Sequence, residues 1–158
     1  EAEVSGLMSL MIRSMKNEMP SLKKNGIRFR VIGNRARLPK DVNECIDDME
    51  AMTAECSDMV LIIFVSYSGK WDIQQAACRM AADGADDLEP YLATAGIPVP
   101  DLMIRTSGEL RISNYMLWQL AYSEFVFTDT LWPDFRKQEY LAALEEFASR
   151  DRRFGKVK

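Results

Sequence analysis

The sequence contains no histidine, only three cysteines, and no apolar run longer than the seven residues Met59–Val65. Without histidine, Ser-His and Cys-His nucleophilic chemistry and His-ligated metals are excluded at once. Cys45, Cys56 and Cys78 are odd in number and lack C-x-x-C spacing, which excludes a disulfide framework and a zinc site of the usual pattern. A reducing cytosol is the compartment this usage suggests. The longest apolar run is far too short to cross a bilayer, and no basic start with a cleavage site marks a signal peptide. Basic excess is also missing: net charge is −4 and the pI near 5, so a general nucleic-acid binder, which needs a cationic face, is not expected. An initiator methionine is absent too, and the chain opens on Glu1 within a helical pattern, so a fragment or processed product is expected.

What is present suffices for one core. With 158 residues and 47% hydrophobic content, a single domain spanning residues 1–158 is expected. Val4, Leu7, Met8, Met11, Ile12 and Met15 recur at helical spacing up to Lys23-Lys24-Asn25-Gly26, where basic residues and glycine mark the stop. Ile27–Gly33 reads as a strand, and Lys40 to about Cys56 as a helix with Val42, Ile46, Met49 and Thr53 inward. Met59–Val65 has no alternation and reads as a central parallel strand covered on both faces. A helix from Trp71 to about Asp83, a short helix inside the loops of Asp83–Pro100, and a strand at Asp101–Arg105 follow. Ser113–Tyr122 is predicted helical, Phe125–Thr128 a strand, and Lys137 to Ser149 a last helix. Strands alternating with helices imply an α/β fold whose central sheet is mainly parallel and flanked by helices, with ligands gathering at the carboxyl ends of the strands.

The richest chemistry lies in Arg105-Thr106-Ser107-Gly108-Glu109-Leu110-Arg111-Ile112-Ser113-Asn114, between a strand end and the predicted helix start. Ser113 or Asn114 could cap that helix, and helix N-termini attract anions. Two guanidiniums, hydroxyls and a glycine suit a phosphate or diphosphate. A capped loop with two surface arginines is the alternative. Glu109 is expected to be solvated or paired with Arg111. The tail from Arg150 to Lys158 carries five bases and one acid, and composition leaves a solvated end and an anion-seeking arm both open. Ser68-Gly69-Lys70 lacks the spacing of a nucleotide phosphate loop, and Trp118 and Trp132 are expected to pack in the core or a dimer.

The run I-R-T-S-G-E-L-R-I-S-N-Y-M-L-W-Q-L-A-Y-S-E-F at Ile104–Phe125, followed by T-D-T-L-W-P-D-F at Thr128–Phe135, resembles the signature of cis-prenyltransferases, the family of undecaprenyl diphosphate synthase. The resemblance extends from residue 1 to about 155, through Ile32-Gly33, Ser66–Ile73 and Arg152-Arg153-Phe154-Gly155, and is densest over 101–135. It implies condensation of isopentenyl diphosphate onto an allylic, farnesyl-type diphosphate with Mg²⁺ present, in a homodimer with shared active sites. By the same resemblance Arg105, Arg111 and Ser113 hold isopentenyl diphosphate. Glu124 stands near the metal and diphosphate across the dimer interface, and Arg153 and Gly155 form an arm that completes the partner's site. Electrostatics agrees, since arginines and a cation stabilise a departing diphosphate without a covalent intermediate. The growing product needs an apolar channel; Met8, Met11, Met15 and the Ile62–Phe64 stretch are candidates to line it, with ordinary core packing the alternative.

The family's Asp-Gly-Asn-Gly-Arg-Trp loop and Phe-Ser-x-Glu-Asn-Trp segment do not occur in the sequence, so a first strand and the metal-binding loop are expected to be missing and the chain alone inactive. The family often has Asn-Tyr-Gly-Gly-Arg where Ser66–Lys70 stands, and the stretch Asp83–Leu92 is shorter than usual. The implied product is a polyprenyl, plausibly undecaprenyl, diphosphate serving as lipid carrier for envelope polysaccharides, made in the cytoplasm or at the membrane periphery. A non-catalytic partner subunit is the competing role, and the intact Arg105, Arg111 and Ser113 favour the catalytic one.

Overall fold

The computed structural model describes residues 2–151, which form two compact units, divided between Tyr67 and Ser68. Arg153 and Gly155 lie outside the described residues.

Unit 1 carries α1 (Ala2–Lys24), β1 (Ile27–Ile32), α2 (Lys40–Met52) and β2 (Met59–Phe64). The apolar stripe of α1 buries Met15, Met19 and Leu22 against Phe29 of β1 and Val42, Cys45, Ile46 and Met49 of α2. Val42 and Ile46 are fully inaccessible. The helix α2 stops at Met52, earlier than the sequence suggests, because Thr53 turns inward. Its hydroxyl donates to the Met49 carbonyl (2.9 Å) and accepts from the Phe29 amide (3.0 Å). The Val31 amide likewise donates to Glu50 Oε1 (2.7 Å), so side chains of α2 and its C-cap satisfy alternate amides of β1.

β1 and β2 pair in parallel, Ile27 opposite Met59 through Ile32 opposite Phe64. The expectation that β2 is covered on both faces fails within this unit: Met59 is 51%, Val60 49% and Ile63 39% exposed. Both helices pack on β1, and among the described residues β2 has β1 as its one ladder neighbour.

Unit 2 carries α3 (Gly69–Ala82), β3 (Leu102–Arg105), β4 (Glu124–Phe127) and α4 (Lys137–Ala148), with single 3-10 turns at Glu89–Tyr91 and Trp132–Asp134. β3 and β4 are again parallel, Leu102 opposite Glu124 and Arg105 opposite Phe127. The helix expected over Ser113–Tyr122 is not formed. That segment is a chain of turns in which Ser113 (φ 50°), Asn114 (φ 60°) and Met116 (φ 44°) are left-handed, a conformation that a right-handed helix cannot contain. Nor do the tryptophans pack as core: Trp118 is 43% and Trp132 72% exposed. Among the described residues no helix is long and apolar enough to cross a membrane.

Candidate diphosphate site

Arg105 ends β3, and the loop beyond it folds back over the exit of β4. The Thr128 amide donates to the Arg105 carbonyl (2.9 Å), the Ser107 amide to the Thr130 carbonyl (2.9 Å) and the Gly108 amide to the Thr128 carbonyl (3.0 Å). Ser107 and Gly108 are both left-handed (φ 68° and 67°), which is what lets successive amides reach the same strand exit. Thr128 also donates its hydroxyl to that of Thr130 (3.2 Å), stiffening the anchor. Further along, Arg111 is ion-paired with Glu109, the pairing its sequence neighbourhood suggested, and two thirds of its side chain stays in water. Such an exposed pair is worth little and can exchange for a stronger anionic partner.

The far end of the loop is tied to α3. The carbonyl of Asn114 accepts from the Gly69 amide (2.6 Å) and its side-chain Oδ1 from the Lys70 amide (3.0 Å). Ser68 completes the cap: its hydroxyl accepts from the Trp71 amide (3.2 Å) and its carbonyl from the Asp72 amide (2.9 Å). Asn114 therefore caps a helix, but α3 instead of one starting beside it. With these four amides engaged, the end of α3 is not an open anion site. Gly69 is required at this contact, since an added Cβ would stand 2.7 Å from Leu117 Cγ and 2.8 Å from the Leu117 amide nitrogen.

Beneath this junction lies a polar knot that sequence reasoning missed. The fully buried Asp72 accepts from the Ala93 amide (2.7 Å) and from Gln119 Nε2 (3.0 Å), which also donates to Thr94 Oγ1 (2.8 Å). An aspartate in the first turn of a helix looks like an exposed dipole partner; nothing local in the sequence signals that it is buried.

Glu124 sits elsewhere. It opens β4 opposite Leu102, so three strand residues, roughly 10 Å, separate its level from Arg105. Its carboxylate accepts from Arg150 Nη1 (2.9 Å), and Arg150 also holds Glu146. These hydrogen bonds, Glu124 first, push the Arg150 guanidinium still further up. Among the described residues no three acidic or thiol groups converge on a point that could hold a metal ion. Glu124 could contribute one ligand after leaving Arg150, but these residues do not by themselves make a magnesium site.

Two of the cavities adjoin the strands, one at β4 and one beside β1 and β2. One of about 440 Å³ in unit 2 is bordered by Thr128, Thr130, Phe135, Glu139 and Glu146, and two carboxylates make it a poor diphosphate pocket. The other, about 300 Å³ in unit 1, is walled by Met11, Met15, Phe29, Met49, Leu61 and Ile63, with Ser14 and Glu18 as its polar members. Met11, Met15 and Ile63 are as the sequence suggested; Met8, Ile62 and Phe64 are not in its wall, because strand alternation gives this face to Leu61, Ile63 and Val65.

Comparisons with known proteins show the family to which the chain belongs. Residues 1–155 match the family model described as "Putative undecaprenyl diphosphate synthase", and the chain belongs to that family. It is 49% identical over 167 aligned residues to an isoprenyl transferase of Chlorobaculum tepidum, covering 98% of this chain and 63% of that protein. It is 45% identical over 166 residues to the ditrans,polycis-undecaprenyl-diphosphate synthase ((2E,6E)-farnesyl-diphosphate specific) of Pseudomonas aeruginosa, covering 98% of this chain and 66% of that one. A crystal structure of lavandulyl diphosphate synthase from Lavandula x intermedia in complex with dimethylallyl diphosphate superimposes with a TM-score of 0.93 at 35% identity, covering 99% of this chain and 72% of that one. The chain thus spans about two thirds of the length of these curated relatives.

Proposed function

We propose that this chain is the isopentenyl-diphosphate-binding part of a cis-prenyl chain-elongating transferase. Isopentenyl diphosphate is held by Arg105, Arg111 and Ser113 and is joined to an allylic diphosphate of the farnesyl type. In each round a carbon–carbon bond forms as the allylic carbon–oxygen bond breaks, a proton leaves the isopentenyl unit, and pyrophosphate departs. The chain's own part is to bind and orient: Arg105 and Arg111 neutralise the isopentenyl diphosphate in a forked geometry that an ammonium could not match. The apolar cavity of unit 1 suits a growing hydrocarbon. The product is a polyprenyl diphosphate, undecaprenyl in our reading, destined as a lipid carrier for envelope polysaccharides at the cytoplasmic face of a membrane. Mg²⁺ is the proposed cofactor, with Glu124 its ligand from this chain. A homodimer, with Arg153 and Gly155 reaching into the partner's site, completes the proposal. The chain alone is expected not to turn over, since the sequence holds no Asp-Gly-Asn-Gly-Arg-Trp loop.

The observation that carries this reading is the loop from Arg105 to Asn114, anchored at both ends and bearing two guanidiniums. Calorimetric titration of the chain with isopentenyl diphosphate tests it. Binding that weakens about a hundredfold in Arg105→Ala, with an unchanged melting transition, is expected, on the order of 2–3 kcal/mol for a charge-assisted contact. Equal affinity in the variant and the parent would remove Arg105 from the site. Incorporation of labelled isopentenyl diphosphate with farnesyl diphosphate and Mg²⁺ should be undetectable for the chain alone, and measurable turnover would overturn that part.

A further inference from the structure

We infer that Asn114 is a positioning residue for diphosphate binding, acting through Arg111 and Ser113 without touching the substrate; the inference rests on the diphosphate reading above. The loop has two attachments of different kinds. Its near end, Arg105–Gly108, is held by backbone bonds to Thr128 and Thr130 that no side-chain substitution in the loop removes. Its far end is held by Asn114, through one carbonyl and one side-chain amide oxygen, to the first two residues of α3. Between the anchors stand Arg111, paired only with its neighbour Glu109, and Leu110, which is 77% exposed. Asn114 is thus the tether to α3 that lies nearest Arg111 and Ser113 in the loop.

The residue type fits the task. Asn114 is left-handed (φ 60°), a conformation asparagine tolerates better than other side chains apart from glycine, and it directly follows the left-handed Ser113 (φ 50°). That pair of reversed residues swings Ser113 out to solvent while turning the Asn114 oxygens inward to α3. Because α3 spends its leading amides on Asn114 and Ser68, its partial positive charge acts on the tether, and the substrate is left to the arginines. The tight seat of Gly69 on Leu117 keeps the α3 end and the 113–117 turns in one register.

Asn114→Gly separates the elements of this arrangement: glycine keeps the left-handed backbone and the carbonyl bond to Gly69 but removes the acceptor for Lys70. If the loop then spends only about a tenth of its time in the competent position, the apparent Kd for isopentenyl diphosphate rises about tenfold. A positioning role predicts a pattern that a merely structural one would not give. In a background carrying both Arg111→Ala and Ser113→Ala the same substitution should change Kd less than about twofold, whereas in an Arg105→Ala background the tenfold loss should persist. Equal tenfold losses in both backgrounds, or no loss in the parent, would overturn the inference. Hydrogen exchange of the Lys70 amide gives a readout free of ligand: protection should fall in Asn114→Gly and be retained in Asn114→Asp, which keeps the acceptor. An amide that exchanges as fast in the parent as in Asn114→Gly would also overturn it. If Arg105→Ala and Arg111→Ala both bind like the parent, the diphosphate reading itself is what fails; if they weaken binding and Asn114→Gly does not, only the tether fails.

Discussion

Unit 1 and unit 2 each pair two parallel strands and flank them with helices, yet they are held together differently. In unit 1 the interior is a continuous apolar cluster of Met15, Met19, Leu22, Phe29, Val42, Ile46 and Met49. In unit 2 the buried side chains include Asp72, Thr94 and Gln119, which are joined by hydrogen bonds to one another and to the Ala93 backbone amide far along the chain. Packing tolerates gradual change, whereas a hydrogen-bond network fails when one partner is lost. The unit with the mainly apolar cavity can therefore be plastic, while the unit that carries the charged loop must be specific.

The sharpest way to break this contrast is to make the same kind of truncation in each unit. Met49→Ala, in a fully buried site beside the unit 1 cavity, should cost about 2–5 kcal/mol in urea denaturation. Met49→Leu should cost less than about 1.5 kcal/mol, since volume is what this unit needs. Asp72→Ala should cost on the order of 3 kcal/mol, because the Ala93 amide and Gln119 would lose a buried acceptor. Here the isosteric Asp72→Asn should not rescue, since its amide group cannot accept from both donors. Rescue by Asn to near-parent stability would show that unit 2 tolerates approximate chemistry after all. Gly69→Ala comes next, at about 1–3 kcal/mol, as its methyl meets Leu117; a melting temperature equal to the parent's would mean the 113–117 turns give way freely.

The smallest effect is a pH dependence. Glu139 Oε2 accepts from the Arg136 amide (2.9 Å) at the start of α4, and backbone hydrogen bonds, that of its own amide first, hold its carboxyl below the usual 4.5. A lowered folded-state pKa means stability that is complete above the unfolded value and fades as pH falls through the folded one. Parent protein should thus lose a small increment relative to Glu139→Gln below pH 4.5, read as the difference in melting temperature. A constant difference from pH 7 to 3 would count against the cap.

The contrast between the units also explains what could be read from the sequence. The elements of unit 1 follow from periodicity: α1 and β1 fall within a residue or two of their predicted bounds, because apolar spacing decides them. The bound that moved, the end of α2, moved for a long-range reason, the pull of the Phe29 amide on Thr53. In unit 2 the order of the strands and of α3 and α4 was legible, and the loop from Arg105 to Asn114 stood out by its residue types, whereas the roles of Arg105, Arg111 and Ser113 rest on the family resemblance. The conformation after the loop was not legible. Tyr115, Met116, Leu117 and Leu120 mimic a helical stripe, but Asn114 is committed to α3 and Leu117 to Gly69, and those tertiary demands break the helix. Glu124 illustrates the same limit, for its partner Arg150 lies 26 residues away.

The two hydrogen bonds from β1 to Thr53 and Glu50 give the unit 1 sheet a direction of growth. The outward amides of Phe29 and Val31 are already taken by side chains, so the β1 side offers an incoming strand no regular ladder. On the β2 side the apolar residues Val60 and Ile63 are partly uncovered. A strand added to this sheet is therefore disfavoured at β1, and at β2 it would find apolar surface to cover.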